Sequence, residues 1–317
     1  MSKQEDCLRR GWPPAAVSGW RFGAKRRSDG KKREARNLSG GNPPAFDRKP
    51  EIQIMIKVVK IGGNVVDNET LLTQFCRDFA RLDGPKILVH GGGALASKMQ
   101  KQLGIEPQMV EGRRVTDEQT LRIVTMVYAG WCNKHITALL QASGCDAIGL
   151  SGCDASVITA GRRPPRLLSD GMTQLDYGFV GDVTPASVNT SAIRTLMQAG
   201  LTPVFCAINH DGRGNLLNTN ADTVASSISS ALNAELLYCF EKNGVLYDKF
   251  DETSVIPSIG PGKFERLKAE GRIADGMIPK LENSFAALRA GAASVVIRHS
   301  SDLLSDTGTR LTLDDQD

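Results

Sequence analysis

Six short, nearly unbroken apolar runs, separated by stretches of helical period, constrain this chain more than any other feature. They are "MIKVVKI" (Met55 to Ile61), "KILVH" (Lys86 to His90), "DAIGLSG" (Asp146 to Gly152), "TPVFCAI" (Thr202 to Ile208), "AELLYCF" (Ala234 to Phe240) and "ASVVIR" (Ala293 to Arg298). Strands buried on both faces read this way. Between them "NETLLTQFCRDFARL", "TDEQTLRIVTMVYAGWCNKHITALLQASG" and "ADTVASSISSALN" read as helices. In the second, Thr116 and Gln119 form a capping box and Gly144 a stop. Strand–helix alternation predicts an α/β fold with an open, mostly parallel central sheet sandwiched by helices. Residues 162–184 read as an insertion of hairpin character.

The apolar share, 41%, suffices for a large core across 317 residues, and no apolar window is long enough to span a bilayer. Charge is uneven. Residues 1–50 carry 13 Lys/Arg against 5 Asp/Glu, or +8, leaving 26 against 30, or −4, for the rest. This basic, Pro/Gly-rich head has no periodic pattern and no apolar core of a secretory signal. Residues 1–54 are therefore expected to be a disordered extension, or to precede a natural start at Met55. A run such as "KRRSDGKKR" is more often solvated than bound to nucleic acid, so no nucleic-acid partner is expected. Seven cysteines lie scattered without a C-x-x-C pair, which fits reduced thiols in the cytoplasm. The four histidines show no ligand spacing with them, so no metal site is expected.

Two of the strands run straight into glycines, in "VVKIGG" and "LVHGGGALASKM". Glycine lets backbone N–H groups approach an anion without Cβ obstruction, and the helix N-terminus adds partial positive charge. Ligands of such sheets bind at the carboxyl ends of strands. "GGGALA" also fits a dinucleotide pattern, with Glu111 20 residues past Gly91. That pattern belongs on the first strand of its domain, and here the first strand ends in Lys-Ile-Gly-Gly. Nor is it a phosphate-binding G-x-x-x-x-G-K-[ST] loop, since Lys60 precedes the glycines. "EGRRVTDEQT" sets Arg113 and Arg114 before a helix, and guanidinium can grip carboxylate bidentately. "NTNAD" places Asn218, Asn220 and Asp222 at another helix start, where Asn220 or Asp222 could simply cap. Lys280 of "GMIPK" stands in the first turn of a helix, electrostatically wrong unless an anion is to be met there.

With "KIGGNVV", "VHGGGA", "GRRVTD", "NTNAD", "GMIPK" and "GTRLTL" in this order, the chain resembles the acetylglutamate kinases of the amino-acid kinase superfamily over residues 55–313. The resemblance implies the amino-acid kinase fold, a homodimer, and transfer of the ATP γ-phosphoryl group to the side-chain carboxylate of an N-acylated glutamate. Lys60 and Lys280 would stabilise the moving phosphoryl group, with Asp222 organising both lysines. Arg114 and Asn218 would hold the α-carboxylate, and Gly63, Gly92 and Gly93 would offer backbone donors. ATP would lie against Gly62, Gly63, Phe240, Glu241, Gly244 and Val245, with Mg2+ held mostly by its phosphates. An N-terminal acyl-amino-acid lobe (55–208) and a C-terminal ATP lobe (209–317) are expected.

Two departures stand out. "CFEKNGVL" occurs where the family has an aspartate-led "TDVxGVL", so that Glu241 stands in for the aspartate. Arg113 replaces a leucine, which either faces solvent or reads a dicarboxylic acyl group such as succinyl, as in relatives that use N-succinylglutamate. Residues 1–54 lack the amphipathic helix of arginine-inhibited relatives, which implies a plain homodimer without arginine inhibition. The rival readings are glutamate 5-kinase, uridylate kinase, or a non-catalytic acyl-amino-acid sensor that would not need two lysines on a transferring phosphate.

Overall fold

The computed structural model describes residues 55–314 apart from 111, 168–170, 173, 249, 274 and 275. The basic head and Glu111 lie outside the described residues. Eight strands form one sheet, in the order Ser258–Ile259, Thr309–Leu311, Ser294–His299, Glu235–Phe240, Lys57–Ile61, Lys86–His90, Thr202–Phe205 and Ala147–Leu150. All neighbours pair in parallel except Ser294–His299 with Thr309–Leu311. The fold is the mostly parallel, helix-sandwiched sheet that the apolar runs predict.

Alternation along each strand divides the core in two. Val58, Ile87, Val89, Leu236, Tyr238, Val295 and Ile297 share one apolar layer. Val59, Ile61, Leu88, Leu237, Cys239 and Val296 share the other. The helix Ala221–Leu232 closes the first layer with Val224 and Ile228, beside Ile278–Arg289 with Leu281 and Phe285. The helix Glu69–Arg81 closes the second with Leu72, Phe75 and Phe79. Because Val59 and Ile61 point to that second face, Lys60 points to the first.

Strand register fixes the site. Lys57–Ile61 pairs with Glu235–Phe240 on one side and Lys86–His90 on the other, so Ile61 lies level with His90 and Cys239. The glycines that follow Ile61 and His90 therefore leave the same edge of the sheet side by side. Residues 161–182 carry two short antiparallel pairings, Gly161–Arg162 with Gly181–Asp182 and Arg166–Leu167 with Gln174–Leu175, as the hairpin reading predicts.

The long helix starts differently from its expected capping box. It begins at Glu118, and Asp117, not Thr116, accepts from the Thr120 N–H at 2.7 Å. The Thr116 hydroxyl is already engaged, donating to the Arg114 carbonyl at 2.8 Å and accepting from Asn218 Nδ2 at 3.0 Å. Farther on, Met126–Cys132 winds as a π-helix before α-helix resumes over Asn133–Ala142. Gly144, at φ +78°, stands just past that helix as the sequence predicts.

Candidate active site

Lys60 leaves its strand buried, and its Nζ lies 2.6 Å from Asp222 Oδ1. The ammonium approaches that oxygen outside hydrogen-bonding geometry, so the contact is an ion pair rather than a directed bond. Asn220 caps the helix, accepting from the N–H groups of Asp222 at 2.8 Å and Thr223 at 3.1 Å. Capping thus falls to Asn220, and the Asp222 side chain is left to meet Lys60.

Lys280, in the first turn of Ile278–Arg289, brings its Nζ to 3.6 Å from the centroid of the Phe240 ring. Lys60 Nζ lies 5.1 Å from the same centroid. Two ammonium groups 220 residues apart thus face one aromatic ring. Burial, foremost, lowers the Lys280 pKa from the usual lysine range, and Lys60 lowers it further, while Asp222 and Glu241 pull the other way. Gly62 packs beneath: a Cβ there would stand 3.3 Å from Phe240 Cδ1.

The second glycine junction forms the opposite wall. Gly92 has φ +156°, and a Cβ on it would stand 2.9 Å from Tyr128 Cδ1 and 3.0 Å from Cys132 Sγ. The helix Gly93–Gln102 starts here, and its first-turn N–H groups have no carbonyl one turn behind them. Buried Arg114 is braced by that helix. Its Nη2 donates to the Gly93 carbonyl at 2.9 Å and Ser97 Oγ at 2.7 Å, and its Nη1 to Gln100 Oε1. Thr116 ties the Arg114 backbone to Asn218, so these two residues are set as a unit.

Lys60, Gly63, Gly92, Gly93, Arg113, Arg114, Asn218 and Asp222 line one cavity of about 240 Å³, room for a small amino-acid derivative. Arg113 is three-quarters buried, with Nη1 3.8 Å from Asp182 Oδ1. Arg163 Nη2 holds the same oxygen at 2.5 Å, so two guanidinium groups share one carboxylate. Gly244 and Val245 are elsewhere, in a smaller cavity with Leu246, Ile273 and Met277. Glu241 is exposed beside them. Sequence reasoning missed Tyr128, which lines the main cavity. Burial raises the pKa of its hydroxyl, with Arg114 opposing. In the sequence Tyr128 looks like one more apolar position of a helix, and only the π turn shows otherwise.

Fixed cations, glycine junctions at strand ends and a carboxylate holding one ammonium are the parts that phosphoryl transfer calls for, and small-molecule kinases built on an open parallel sheet are the class that combines them. A family model described as "Amino acid kinase family" matches residues 55–299. The acetylglutamate kinase of Bacteroides fragilis is 49% identical over 267 residues, covering 83% of this chain and 99% of its own length. That of Cytophaga hutchinsonii is 51% identical over 251 residues, covering 78% of this chain and 92% of its own. Among solved structures, smu.665 from Streptococcus mutans UA159 superposes with a TM-score of 0.64 at 27% identity, covering 82% of this chain and 99% of its own. The chain belongs to the amino acid kinase family and, within it, to the acetylglutamate kinases.

Proposed function

We propose that this chain transfers the γ-phosphoryl group of ATP to the side-chain carboxylate of N-acetyl-L-glutamate, an acyl-phosphate-forming step of arginine biosynthesis. The observation that carries this reading is the convergence of Lys60 and Lys280 on Phe240, with Asp222 against Lys60. A carboxylate oxygen attacks the γ-phosphorus and the bond to the β,γ-bridging oxygen breaks, releasing ADP. The nucleophile is ionised at neutral pH and needs no general base. The protein's work is to position two anions and neutralise their charge, often worth several kcal/mol per well-aimed group.

In this reading Arg114 and Asn218 hold the α-carboxylate, while Gly92 and Gly93 N–H groups meet the nucleophile and phosphoryl oxygens. Lys60 and Lys280 take the phosphoryl charge, and Asp222 keeps Lys60 in place. Residues 55–208 carry most of the acyl-amino-acid side and residues 209–317 most of the ATP side, with Asn218 crossing to the first and Gly62 and Gly63 to the second. Gly62, Gly63, Phe240, Glu241, Gly244 and Val245 lie along the nucleotide path, supported by the apolar cavity at Gly244 and Val245. The ammonium groups and glycine N–H groups fit a triphosphate. Among the described residues no group of three His, Cys, Asp or Glu could hold a metal, so Mg2+ would depend on phosphate oxygens.

A cytoplasmic homodimer without arginine inhibition belongs to the same proposal. Exposed Met126 and Trp131 on the π turn support the dimer, and among the described residues no helix is long and apolar enough to cross a membrane. A coupled ADP-release assay with a panel of acyl-glutamates tests the activity. No turnover of any of them would overturn it in favour of a sensor.

Arg113 favours a second reading of the acyl group. It lines the cavity, and among the described residues Asp182 is the carboxylate that meets both its charge and that of Arg163. A dicarboxylic acyl group such as succinyl would meet that surplus. Arg113→Leu should then lower turnover of N-succinylglutamate relative to N-acetylglutamate; an unchanged preference overturns this reading.

A further inference from the structure

We infer that the buried His90–Asn133 pair is a positioning device for phosphoryl transfer: His90 holds the Gly91 carbonyl inward and so aims the Gly92 N–H into the cavity. This rests on the kinase reading above. His90 ends its strand fully buried, directly before the glycines. Its Nδ1 lies 2.8 Å from the Gly91 carbonyl oxygen, and its Nε2 lies 3.0 Å from Asn133 Nδ2.

The surroundings of Asn133 settle which ring nitrogen carries the proton. Asn133 Nδ2 also lies 2.9 Å from the Val204 carbonyl oxygen, and Lys134 Nζ donates to Asn133 Oδ1 at 3.2 Å. A carbonyl only accepts and an ammonium only donates, so the amide has one orientation. Asn133 therefore donates to Nε2, and the imidazole proton sits on Nδ1, where it is given to Gly91. Burial holds the His90 pKa down to about 4, and the Lys134 charge adds to this, against the Gly91 bond. The ring is neutral at physiological pH in this one tautomer.

A trans peptide points its C=O and the next N–H in opposite directions. Fixing the Gly91 oxygen toward His90 sends the Gly92 N–H the other way, toward the cavity that Gly91, Gly92 and Gly93 line. Glycine at 149 belongs to the same device, because a Cβ there would stand 2.2 Å from Asn133 Oδ1.

The test uses the full chain. Asparagine presents its amide nitrogen near the place of Nδ1, glutamine near that of Nε2. His90→Gln and His90→Leu should lose about a hundredfold in kcat, the usual scale for a displaced donor, with KM for N-acetylglutamate little changed. His90→Asn should recover most of that loss although its melting temperature falls similarly. In wild type, 15N NMR of the imidazoles should show His90 protonated at Nδ1 only. Equal kcat for the Asn and Gln variants, no loss in any variant, or an Nε2–H tautomer would each overturn the proposal. Wild-type protein without kinase activity would sink the functional reading instead, and the tautomer would still be readable.

Discussion

Lys60 Nζ stands 2.6 Å from Asp222 Oδ1, although the two residues come from a strand end and a helix start 162 positions apart. Asn220 is what frees the aspartate for this pairing, since it takes over the helix cap. Asp222→Asn should cut kcat by 10²–10³-fold, the range for losing one oriented charge contact in a closed site. Lys60→Ala should cost at least as much. The double variant should fall well short of the product of the two losses, because both act through one contact. Steady-state kinetics of the three variants check this; multiplicative losses would dissolve the pair.

Lys280 sets an alkaline limit. Burial lowers its pKa, and a lysine must be protonated to meet a phosphate. As pH rises through that lowered pKa the cation is lost, so kcat/KM for ATP, which reports the free enzyme, should fall below the usual lysine range of about 10.4. Below that pKa the charge is complete and this group contributes no slope. Lys280→Arg should move the fall upward, and an unmoved alkaline limb would assign it to another group.

Gly92 leaves no room for a side chain. Gly92→Ala would push a methyl into the Tyr128 ring and Cys132 at a φ that L-residues rarely adopt. Strain and overpacking together should cost about 2–4 kcal/mol, read as a lower urea midpoint. In a Tyr128→Ala background, itself destabilised by the lost ring, Gly92→Ala should cost less than it does in wild type. An undiminished cost would mean that it is backbone strain alone.

Ala155 and Ser156 sit in left-handed backbone at φ +50° and +49°. Such a position costs a non-glycine residue about 1–2 kcal/mol, and glycine gives back roughly half of that through its freer unfolded chain. Ala155→Gly should therefore raise the urea midpoint slightly with an unchanged m-value. Ser156→Gly should gain less, because it also loses the 3.1 Å contact to His210 Nε2. A loss of stability in Ala155→Gly would refute the strain.

Most of the sheet is legible in the sequence because its strands are buried on both faces and read as unbroken apolar runs. "KILVH" matches its strand residue for residue. Lys60 and Lys280 stand out in the sequence as well, since charge placed against the local rule marks a candidate site, whereas Asp222 in a helix's first turn obeys that rule and stands out only through the resemblance. What stays hidden is long-range. Ser258–Ile259 and Thr309–Leu311 are too short to carry a period. The Arg113–Asp182–Arg163 cluster depends on how a distant hairpin folds back. The π turn that brings Tyr128 to Gly92 has no periodic mark, because one extra residue per turn still leaves an apolar stripe. Asp117 caps the helix in place of Thr116, whose hydroxyl is taken up by the Arg114 carbonyl and by Asn218 from another element.

Among the described strands, the one at the middle of the sheet is also the first in chain order. Lys57–Ile61 gains one neighbour at Lys86–His90, but its other flank waits for Glu235–Phe240. At 5–20 residues per second, some 150 residues of synthesis take roughly 8–30 s. Throughout that interval an apolar ribbon carries an unpaired edge, the kind of surface that invites pairing with another nascent chain. The sheet therefore cannot close around its middle strand until residue 240 has been made.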